Sequence, residues 1–379
     1  MILVLLSESP SHSAAGNKQP PFHILKIMPG IGIPSLADNL PPLLKRNYGK
    51  WISHEHPRPG VIKHDSESGE ACFTVRAGMP PNARVSTQTL RKICDVADEF
   101  SDGFFRVTQR NSLEFVGVAE KRIDELIARL ALMGLPVGGT NRSLHNTVCC
   151  TGYIHCHLAA TDPAAILKIV SEVLLAEFQN DCLPAKLKIS GSGCLNNCGE
   201  GSTADIGIVG VHRDLPPIHV DKLKGCELPL VISVCPVGAI KPKGPGMIEI
   251  DGKRCIHCPA CSVACAAMAP IGSADGDGVA IVVGGKAANT GDGPAIAKVV
   301  VPYLPNHPPY WPEVTGVIRK IVDAWNANAR KDERVGEWIN RIGWAKFYER
   351  TGLPISSKVV DEFDVRAMEY AKSNVRFNW

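Results

Sequence analysis

The sequence predicts an α+β fold of mixed sheets and helices, with a small cysteine-rich module inserted in its second half. Segments with the alternating pattern of strands and segments with helical spacing follow one another irregularly, without the regular repeat of a parallel α/β fold. The fourteen cysteines are too many for an ordinary enzyme core, and most of them fall into two groups. Such clustering is typical of proteins that bind metal.

Length and composition indicate a globular protein of about two or three domains, since 379 residues with 45% hydrophobic composition can bury a core. The 41 Lys and Arg and the 38 Asp and Glu are spread along the chain, which argues against nucleic acid as a partner. The apolar residues 1–6 are too few for a secretory signal, and no run approaches the roughly 20 apolar residues of a membrane span. We therefore expect a cytoplasmic protein without direct membrane insertion.

The elements of the first half follow from hydrophobic periodicity. Alternation predicts strands, apolar residues three and four apart predict helices, and Gly134 with Pro136 is a helix stop signal. The predicted strands are residues 71–76, 104–108 and 113–118, and the predicted helices are residues 86–100 and 120–133.

The second half continues in the same mixed manner. A helix is predicted over residues 162–178, and strands over 185–190, 206–211, 278–284 and 297–303. The tail is predicted to be helical over 314–329 and 333–350, where Trp325, Trp338, Trp344 and Phe347 are packing anchors. If exposed, these aromatic side chains would suit a subunit interface.

The first cysteine group consists of Cys150 and Cys156, then Cys194 and Cys198. A [4Fe–4S] cluster needs four thiolates, one for each iron, and two separated pairs can supply them. The second pair lies in a glycine-rich segment that lets the backbone approach the cluster closely. Zinc and a purely structural thiol group are the alternatives.

The second cysteine group, Cys255, Cys258, Cys261 and Cys265, has the C-x2-C-x2-C-x3-C spacing of bacterial ferredoxins. Upstream, Cys235 begins a Cys-Pro-Val-Gly-Ala-Ile segment typical of the closing half of another such repeat. Only one cluster can form, and we expect its ligands to be Cys235, Cys255, Cys258 and Cys261. Cys265 is then expected to be a free thiol, and zinc remains the alternative. The single cysteines Cys72, Cys94, Cys182 and Cys226 are assigned no chemistry.

The C-x5-C and C-x3-C pairs resemble the sirohaem-cluster signature of sulfite and nitrite reductases. The resemblance implies that Cys150, Cys156, Cys194 and Cys198 bind a [4Fe–4S] cluster and that Cys198 is also the axial ligand of sirohaem, with Cys149 a possible substitute for Cys150. One departure is visible: β subunits of this family often have a cysteine directly before the C-x3-C pair, where this chain has Gly193.

Basic residues are expected around a sirohaem because it carries eight carboxylates and the substrate is an anion. The resemblance nominates Arg106, Thr108 and Arg110 for the cofactor. It nominates Arg76, Arg84, Lys186 and Lys188 for the substrate, and the two lysines alternate along a predicted strand and so face the same side. A solvated surface charge is the plain alternative for each. The family's pseudo-twofold design implies that such residues can serve the partner subunit's site.

Over almost the full length, including the tail segments around Trp338 and Trp344, the chain resembles the β subunits of dissimilatory sulfite reductases. The implied domains are an N-terminal arm wrapping the partner (1–60), a ferredoxin-like reductase half-domain (61–140), a sirohaem/[4Fe–4S] domain (141–230), a ferredoxin [4Fe–4S] domain (231–275), and the remainder with a helical tail (276–379).

This resemblance implies six-electron reduction of sulfite toward sulfide, or toward a carrier-bound trisulfide, with the reverse direction open. The implied cofactors are sirohaem and two [4Fe–4S] clusters. The implied partners are an α subunit in an α2β2 heterotetramer and a small thiol-bearing sulfur carrier protein. An assimilatory-type or anaerobic sulfite or nitrite reductase, and a catalytically silent electron-relay subunit, are the alternatives.

Overall fold

Five antiparallel strands form the first sheet of the computed structural model, which describes residues 40–269 and 276–356. The spatial order is β1-β2-β3-β5-β4. The strands are β1 (Trp51–Arg58), β2 (Val61–Ser66), β3 (Ala71–Gly78), β4 (Phe105–Val107) and β5 (Ser112–Val118). The short helix α1 (Pro42–Asn47) precedes them, and most of the predicted arm lies outside the described residues.

Helices α2 (Thr87–Phe100) and α3 (Ile123–Leu132) pack on this sheet. The Ser86 hydroxyl accepts a hydrogen bond from the Thr89 amide at 3.0 Å, an N-cap that explains where α2 begins. Ile93, Leu126 and Phe115 are fully buried between helices and sheet. The predicted strand, helix, strand, strand, helix order of this region is confirmed.

The second sheet has the order β12-β11-β8-β7-β6 and is mixed. Strands β6 (Val148–Cys149), β7 (Ile189–Ser192) and β8 (Ile206–Val211) are parallel, whereas β11 (Gly278–Val283) and β12 (Lys298–Pro305) pair antiparallel. Its core is covered by α4 (Pro163–Val173), α5 (Leu175–Gln179), α9 (Pro312–Asn328), α10 (Val335–Ile342) and α11 (Trp344–Thr351).

A small module lies between β8 and β11 in the chain. It contains the β9 (Ile240–Gly244) and β10 (Met247–Ile250) hairpin and the short helices α6 (Val220–Leu223), α7 (Leu228–Ser233) and α8 (Ala260–Ala264). Its apolar core is small and includes Cys261 and Cys265. A module of this size usually needs a metal or a disulfide for stability.

Two sequence expectations are wrong in detail. Cys265 is not a free thiol but is bonded to Cys226, whose Cα atom lies 5.7 Å away, within the normal disulfide range. The strand expected from residue 185 begins at Ile189, because only a single bridge, Leu187 to Leu144, precedes it. The tail aromatics were expected to be packing anchors, which is confirmed, and to suit an interface only if exposed, which Trp325, Trp338 and Phe347 are not.

Instead, the tail aromatics form a packed cluster in the main core. Trp325, Trp338 and Phe347 are fully buried, and the Phe347 ring lies 5.9 Å from the Trp338 ring and 5.5 Å from the partly buried Trp344 ring, both edge-on. Among the helices of residues 40–269 and 276–356, none is long and apolar enough to span a bilayer.

Candidate functional site

The first cysteine group gathers at one edge of the second sheet. Cys150 follows β6 and Cys194 follows β7, and these strands are parallel neighbours, so their carboxyl ends deliver both residues to the same edge. The pKa of the Cys194 thiol is raised to about 11, first by burial and in smaller part by the nearby thiols of Cys156, Cys198 and Cys150. The four thiols therefore lie close enough to interact electrostatically.

The loop after β7 is held by backbone hydrogen bonds that need glycine. The Gly193 amide donates to Cys150 Sγ at 3.2 Å, and the Gly199 amide donates to the Ser192 hydroxyl at 2.9 Å. A Cβ atom on Gly199 would lie only 1.9 Å from the Gly191 carbonyl oxygen. The close turn brings both cysteines of the C-x3-C pair back toward the sheet edge.

Cys149 is placed differently from Cys150. It lies on β6, packs against the main apolar core, and has a pKa raised to about 12, chiefly by burial and then by Cys150. It is not among the residues whose charges act on Cys194, whereas Cys150 is. Cys150 is thus the better match to the predicted fourth ligand.

The second cysteine group surrounds a small cavity lined by Cys235, Cys255, Cys258 and Cys261. Burial raises the pKa of Cys258, and Cys235 and Cys255 raise it further. The Ala239 amide donates to Cys235 Sγ at 3.2 Å and the His257 amide to Cys255 Sγ at 3.4 Å. Cys265 does not line this cavity and is held in its disulfide instead.

Within the described residues, no three His, Cys, Asp or Glu side chains enclose a site for a single metal ion. A cubane spreads its four thiolates over four separate irons, so it needs a wider arrangement than one ion does. Amides that donate to Sγ atoms in both groups are the contacts that stabilise thiolate charge. Each group supplies four cysteine thiols, the number that the predicted [4Fe–4S] cluster requires.

A large cavity of about 1190 Å³ opens between the first sheet and the segments around α10. Its lining is dominated by cationic side chains, which outnumber the acidic ones and are joined by four histidines. The lining cations and histidines are Arg76, Arg106, Arg142, Lys186, Lys286, Arg330, Lys331, Arg334, Arg341, His54, His56, His64 and His145. We call this space the cationic cavity; it suits a polyanionic ligand.

Two of the predicted arginines are fixed in this cavity by one buried carboxylate. Arg76 donates to Glu114 Oε1 from Nε at 2.9 Å and Nη2 at 2.6 Å, while Arg106 Nε donates to Glu114 Oε2 at 2.7 Å. Arg76 also donates to the Gly139 carbonyl at 2.7 Å. Glu114 thus fixes the direction of both guanidinium groups.

Lys186, Lys188 and Asp205 form a second cluster of charged residues. The carboxylate of Asp205 accepts from the Lys188 amide at 2.8 Å and from Arg334 at 2.9 Å and 2.6 Å. Burial lowers the pKa of Lys188 to about 8, helped by the positive charges of Arg110, Arg334 and Lys186. Of the two lysines, only Lys186 lines the cavity.

Arg110 is half-buried beside these lysines, and its Nη1 atom is buried without a hydrogen-bond partner among the described residues. Burial lowers its pKa, the first cause, while Asp205 opposes the change. A buried guanidinium nitrogen without a partner among the described residues fits a site that takes an anion.

The remaining predicted residues lie elsewhere. Arg84 acts electrostatically on Cys149 and so belongs near the first cysteine group. The Thr108 hydroxyl accepts from the Ser112 amide at 3.0 Å and thereby closes the turn between β4 and β5. Sequence reasoning missed Arg142, Lys286 and the charged residues 330–341, although the run Arg-Lys-Asp-Glu-Arg at 330–334 was a visible signal.

The cationic cavity and the first cysteine group lie at opposite ends of β7. The chain is extended from Leu187 to Ser192, and five residues of strand span about 16 Å. Lys186 precedes this stretch and Cys194 follows it. The two sites therefore lie toward opposite ends of the segment that runs through β7.

Residues 140–359 match the nitrite and sulphite reductase 4Fe-4S domain, and residues 64–133 match the nitrite/sulfite reductase ferredoxin-like half domain. The crystal structure of dissimilatory sulfite reductase I matches with a TM-score of 0.77 at 23% identity, covering 88% of this chain and 84% of that chain. That likeness shows a shared fold.

Relatives extend over most of the chain. It is 41% identical over 360 residues to the dissimilatory-type sulfite reductase subunit beta of Archaeoglobus fulgidus, covering 92% of this chain and 97% of that protein. It is 40% identical over 351 residues to the corresponding subunit of Nitratidesulfovibrio vulgaris, covering 88% and 91%. It is 26% identical over 314 residues to the alpha subunit of Allochromatium vinosum, covering 78% and 74%.

The chain belongs to the nitrite and sulfite reductase family. Its relatives at 40–41% identity are β subunits of the dissimilatory type, so the predicted resemblance is confirmed, as are the α+β class and the assignment to the oxidoreductases. The family match also supports an iron–sulfur centre in residues 140–359.

Proposed function

We propose that the chain is the β subunit of a dissimilatory sulfite reductase, which reduces sulfite toward sulfide or a carrier-bound trisulfide. The observation that carries this proposal is the pairing of a four-thiol group at one end of β7 with the cationic cavity at the other. The names of the relatives at 40–41% identity support the same activity. The alternatives of an assimilatory-type enzyme and a silent relay subunit are not favoured by these relatives.

We infer two [4Fe–4S] clusters. Cys150, Cys156, Cys194 and Cys198 would hold the first cluster, and Cys235, Cys255, Cys258 and Cys261 the second, which would be the entry point for electrons. Cys198 would also ligate sirohaem, and Arg84 lies near this region. When bound, the sirohaem supplies the iron at which the anion is reduced.

The cationic cavity would hold sulfite and the carboxylates of a macrocycle. Arg76, Arg106 and Lys186 line it, and Arg110 with Lys188 adds positive charge beside it. Since the cavity is separated from the first cysteine group by the length of β7, we propose that it serves the sirohaem whose cluster is bound by the α subunit. This arrangement requires an α/β assembly, which we propose to be α2β2.

The relatives named as alpha subunits have the same kind of chain, as expected if each subunit supplies thiolates to one site and cations to another. A small thiol-bearing sulfur carrier is the proposed acceptor of the product. Cluster thiolates must stay reduced, so we propose the cytoplasm as the compartment, where the Cys226–Cys265 disulfide would be the exception among these cysteines.

The test is anaerobic co-purification of this chain with its α subunit, followed by an absorption spectrum, iron analysis and sulfite turnover with a reduced viologen. Sirohaem bands, about eight cluster irons per chain and sulfite-dependent oxidation of the viologen are expected. Iron without a macrocycle would leave only an electron-relay role, and preferential turnover of nitrite would favour the alternative reductase.

A further inference from the structure

The small cysteine-rich module is joined to the second sheet by two chain connections that lie side by side. His212 directly follows β8 and Asp277 directly precedes β11, and these strands are antiparallel neighbours paired as far as Val211 and Gly278. The His212 Nδ1 atom lies 2.9 Å from Asp277 Oδ2, and the two side chains are only 2% and 7% exposed. A buried imidazole–carboxylate pair therefore closes the base of the module, and the proposed function makes no use of it.

The ring of His212 also reaches the loop of the first cysteine group. Its Nε2 atom lies 3.0 Å from the carbonyl oxygen of Leu158, which comes two residues after Cys156. A carbonyl oxygen only accepts hydrogen bonds, so Nε2 carries a hydrogen and donates it. In the same loop, the Ala160 amide donates to the Gly193 carbonyl at 2.7 Å. His212 thus ties the base of the module to a loop that is itself tied to the segment after β7.

On the side of the module, a second histidine makes a similar contact. His257 lies between Cys255 and Cys258, and its Nδ1 atom is 3.0 Å from the carbonyl oxygen of Asp214. The backbone of His257 has a φ of 57°, and its amide donates to Cys255 Sγ at 3.4 Å. Asp214 comes two residues after His212 in the chain. The loops of both cysteine groups are therefore bonded to one three-residue segment at the base of the module.

Tyr303 on β12 holds this segment in place. The Arg213 guanidinium lies over the Tyr303 ring, 4.8 Å from its centre. The Tyr303 hydroxyl donates to the Gly276 carbonyl at 3.4 Å, on the other chain connection. One ring thus contacts both connections of the module, which fixes the base of the module against the second sheet.

These contacts join the two cysteine groups almost entirely through covalent bonds. The residues along this route, in order, are Cys258, His257, Asp214, His212, Leu158 and Cys156. Only two steps are not covalent, and each is a contact of 3.0 Å. Electron tunnelling decays less steeply along covalent and hydrogen bonds than across empty space, so a continuous bonded route favours transfer between the groups.

We propose that His212 and His257 are positioning residues that set the electron route from the second cysteine group to the first. Each electron that passes oxidises the cluster held by the second group and reduces the cluster held by the first, so no bond is made or broken and no proton is consumed. The second group is the entry point for electrons in the proposed function, and this inference rests on that function. Both histidines act through the loops they hold, since neither is a cluster ligand.

The experiment uses the complete α/β complex, reduced without oxygen and then mixed rapidly with sulfite. Electrons leave at the sirohaem, so the second group's cluster is reoxidised through the first, and freeze-quench electron paramagnetic resonance follows each cluster. Two variants interrupt the route at different contacts: His257→Gly, and His212→Leu together with Asp277→Leu. Glycine suits the positive φ at position 257 and keeps the backbone amide, and the two leucines leave no buried charge without its partner.

We expect each variant to slow reoxidation of the second group's cluster about tenfold, the lower end of what the loss of an outer partner of a metal ligand costs. The iron content and the midpoint potentials of both clusters should stay unchanged. His307→Leu with Glu313→Leu is the matched control, because this imidazole–carboxylate pair, 2.8 Å apart, is largely exposed and takes no part in the route. The control should leave the rate unchanged.

An unchanged rate in both variants would overturn the route. So would a slower rate in His257→Gly that comes only with loss of iron, since the histidine would then merely keep the module folded. If the double variant loses its clusters, His257→Gly decides alone, because it leaves the His212–Asp277 pair intact. Mixing with nitrite separates this question from the proposed function: reoxidation by nitrite alone would contradict sulfite as the substrate, while the rates of the variants still test the route.

Discussion

At the scale of single residues, the backbone of Gly193 is tied to Cys150. The Gly193 amide donates to Cys150 Sγ at 3.2 Å. A Cβ atom on Gly193 would meet the Ala159 Cβ at 3.0 Å, tighter than most side-chain contacts. A side chain at 193 would therefore press on Ala159, while the backbone amide at 193 is the group that contacts the Cys150 thiol.

We predict that Cys150→Ser removes the first cluster and that Cys149→Ser does not. The reason is that Cys150 interacts with Cys194 whereas Cys149 packs into the apolar core. Iron and acid-labile sulfide per chain, with the electron paramagnetic resonance signal of each cluster, measure the outcome. Equal iron loss in both variants would contradict the assignment of Cys150 alone.

Sulfite affinity should weaken as the pH rises through about 8, where Lys188 loses its proton. The pKa of this lysine is lowered by burial and by neighbouring cations, so its charged form is present below that pH and lost above it. The KM for sulfite measured from pH 6.5 to 9.5 should rise above pH 8 in the wild-type complex. Lys188→Arg should flatten the profile, since guanidinium stays charged; an unchanged profile would remove Lys188 from anion binding.

The cluster residues were predictable because the chemistry dictates their spacing: a cubane needs four thiolates, and ferredoxin-type runs supply them in a fixed local pattern. The cavity was only partly predictable. Arg76, Arg106 and Lys186 were nominated from local context, but Arg142 and Arg341 reach the same cavity from distant segments. No local sequence pattern predicts that residues so far apart in the chain line one cavity.

At the scale of elements, the buried pair of Asp205 and Arg334 joins the second sheet to the start of α10. The side chain of Asp205 is fully buried and that of Arg334 is 6% exposed. The same carboxylate accepts from the Lys188 backbone. This one contact fixes the tail helix and the lysine segment relative to each other.

Asp205→Ala should reduce the free energy of unfolding by about 3–5 kcal/mol, because it leaves Arg334 buried without its partner. Thermal or denaturant unfolding of the complex measures this loss. Asp205→Ala with Arg334→Met should recover part of it, because the unpaired charge is then absent. Lys168→Ala, which removes an exposed pair with Glu172, is the control and should change stability little.

The observed ends of strands and helices show what sequence periodicity does not predict. Residues 185–188 have strand-like alternation, yet the Lys188 amide is bound by the Asp205 side chain instead of a neighbouring strand. The single helix predicted over 333–350 is divided at Gly343, whose φ of 82° is unfavourable for other residues. Both differences arise from tertiary contacts or backbone geometry that periodicity does not encode.

At the scale of the whole molecule, we propose that the two ends of β7 belong to different sites. We predict that Cys198→Ser in this chain removes the sirohaem ligated here but leaves the sirohaem at the α subunit's cluster. Lys186→Gln should have the opposite selectivity, weakening anion binding at the α subunit's cluster while all the sirohaem is retained. Sirohaem extraction and sulfite titration of each variant complex measure this; loss of both functions in either variant would show that the sites are one.

Strand β7 also limits which insertions and deletions the chain tolerates. Its side chains alternate between faces, so one inserted or deleted codon between Leu187 and Ser192 would turn every following residue to the wrong side or displace the lysine end against its neighbours. Either outcome misplaces a thiolate at one end or a cation at the other. Length changes here should therefore be far less tolerated than in the β9–β10 hairpin turn, where Gly244 and Gly246 close a short connection.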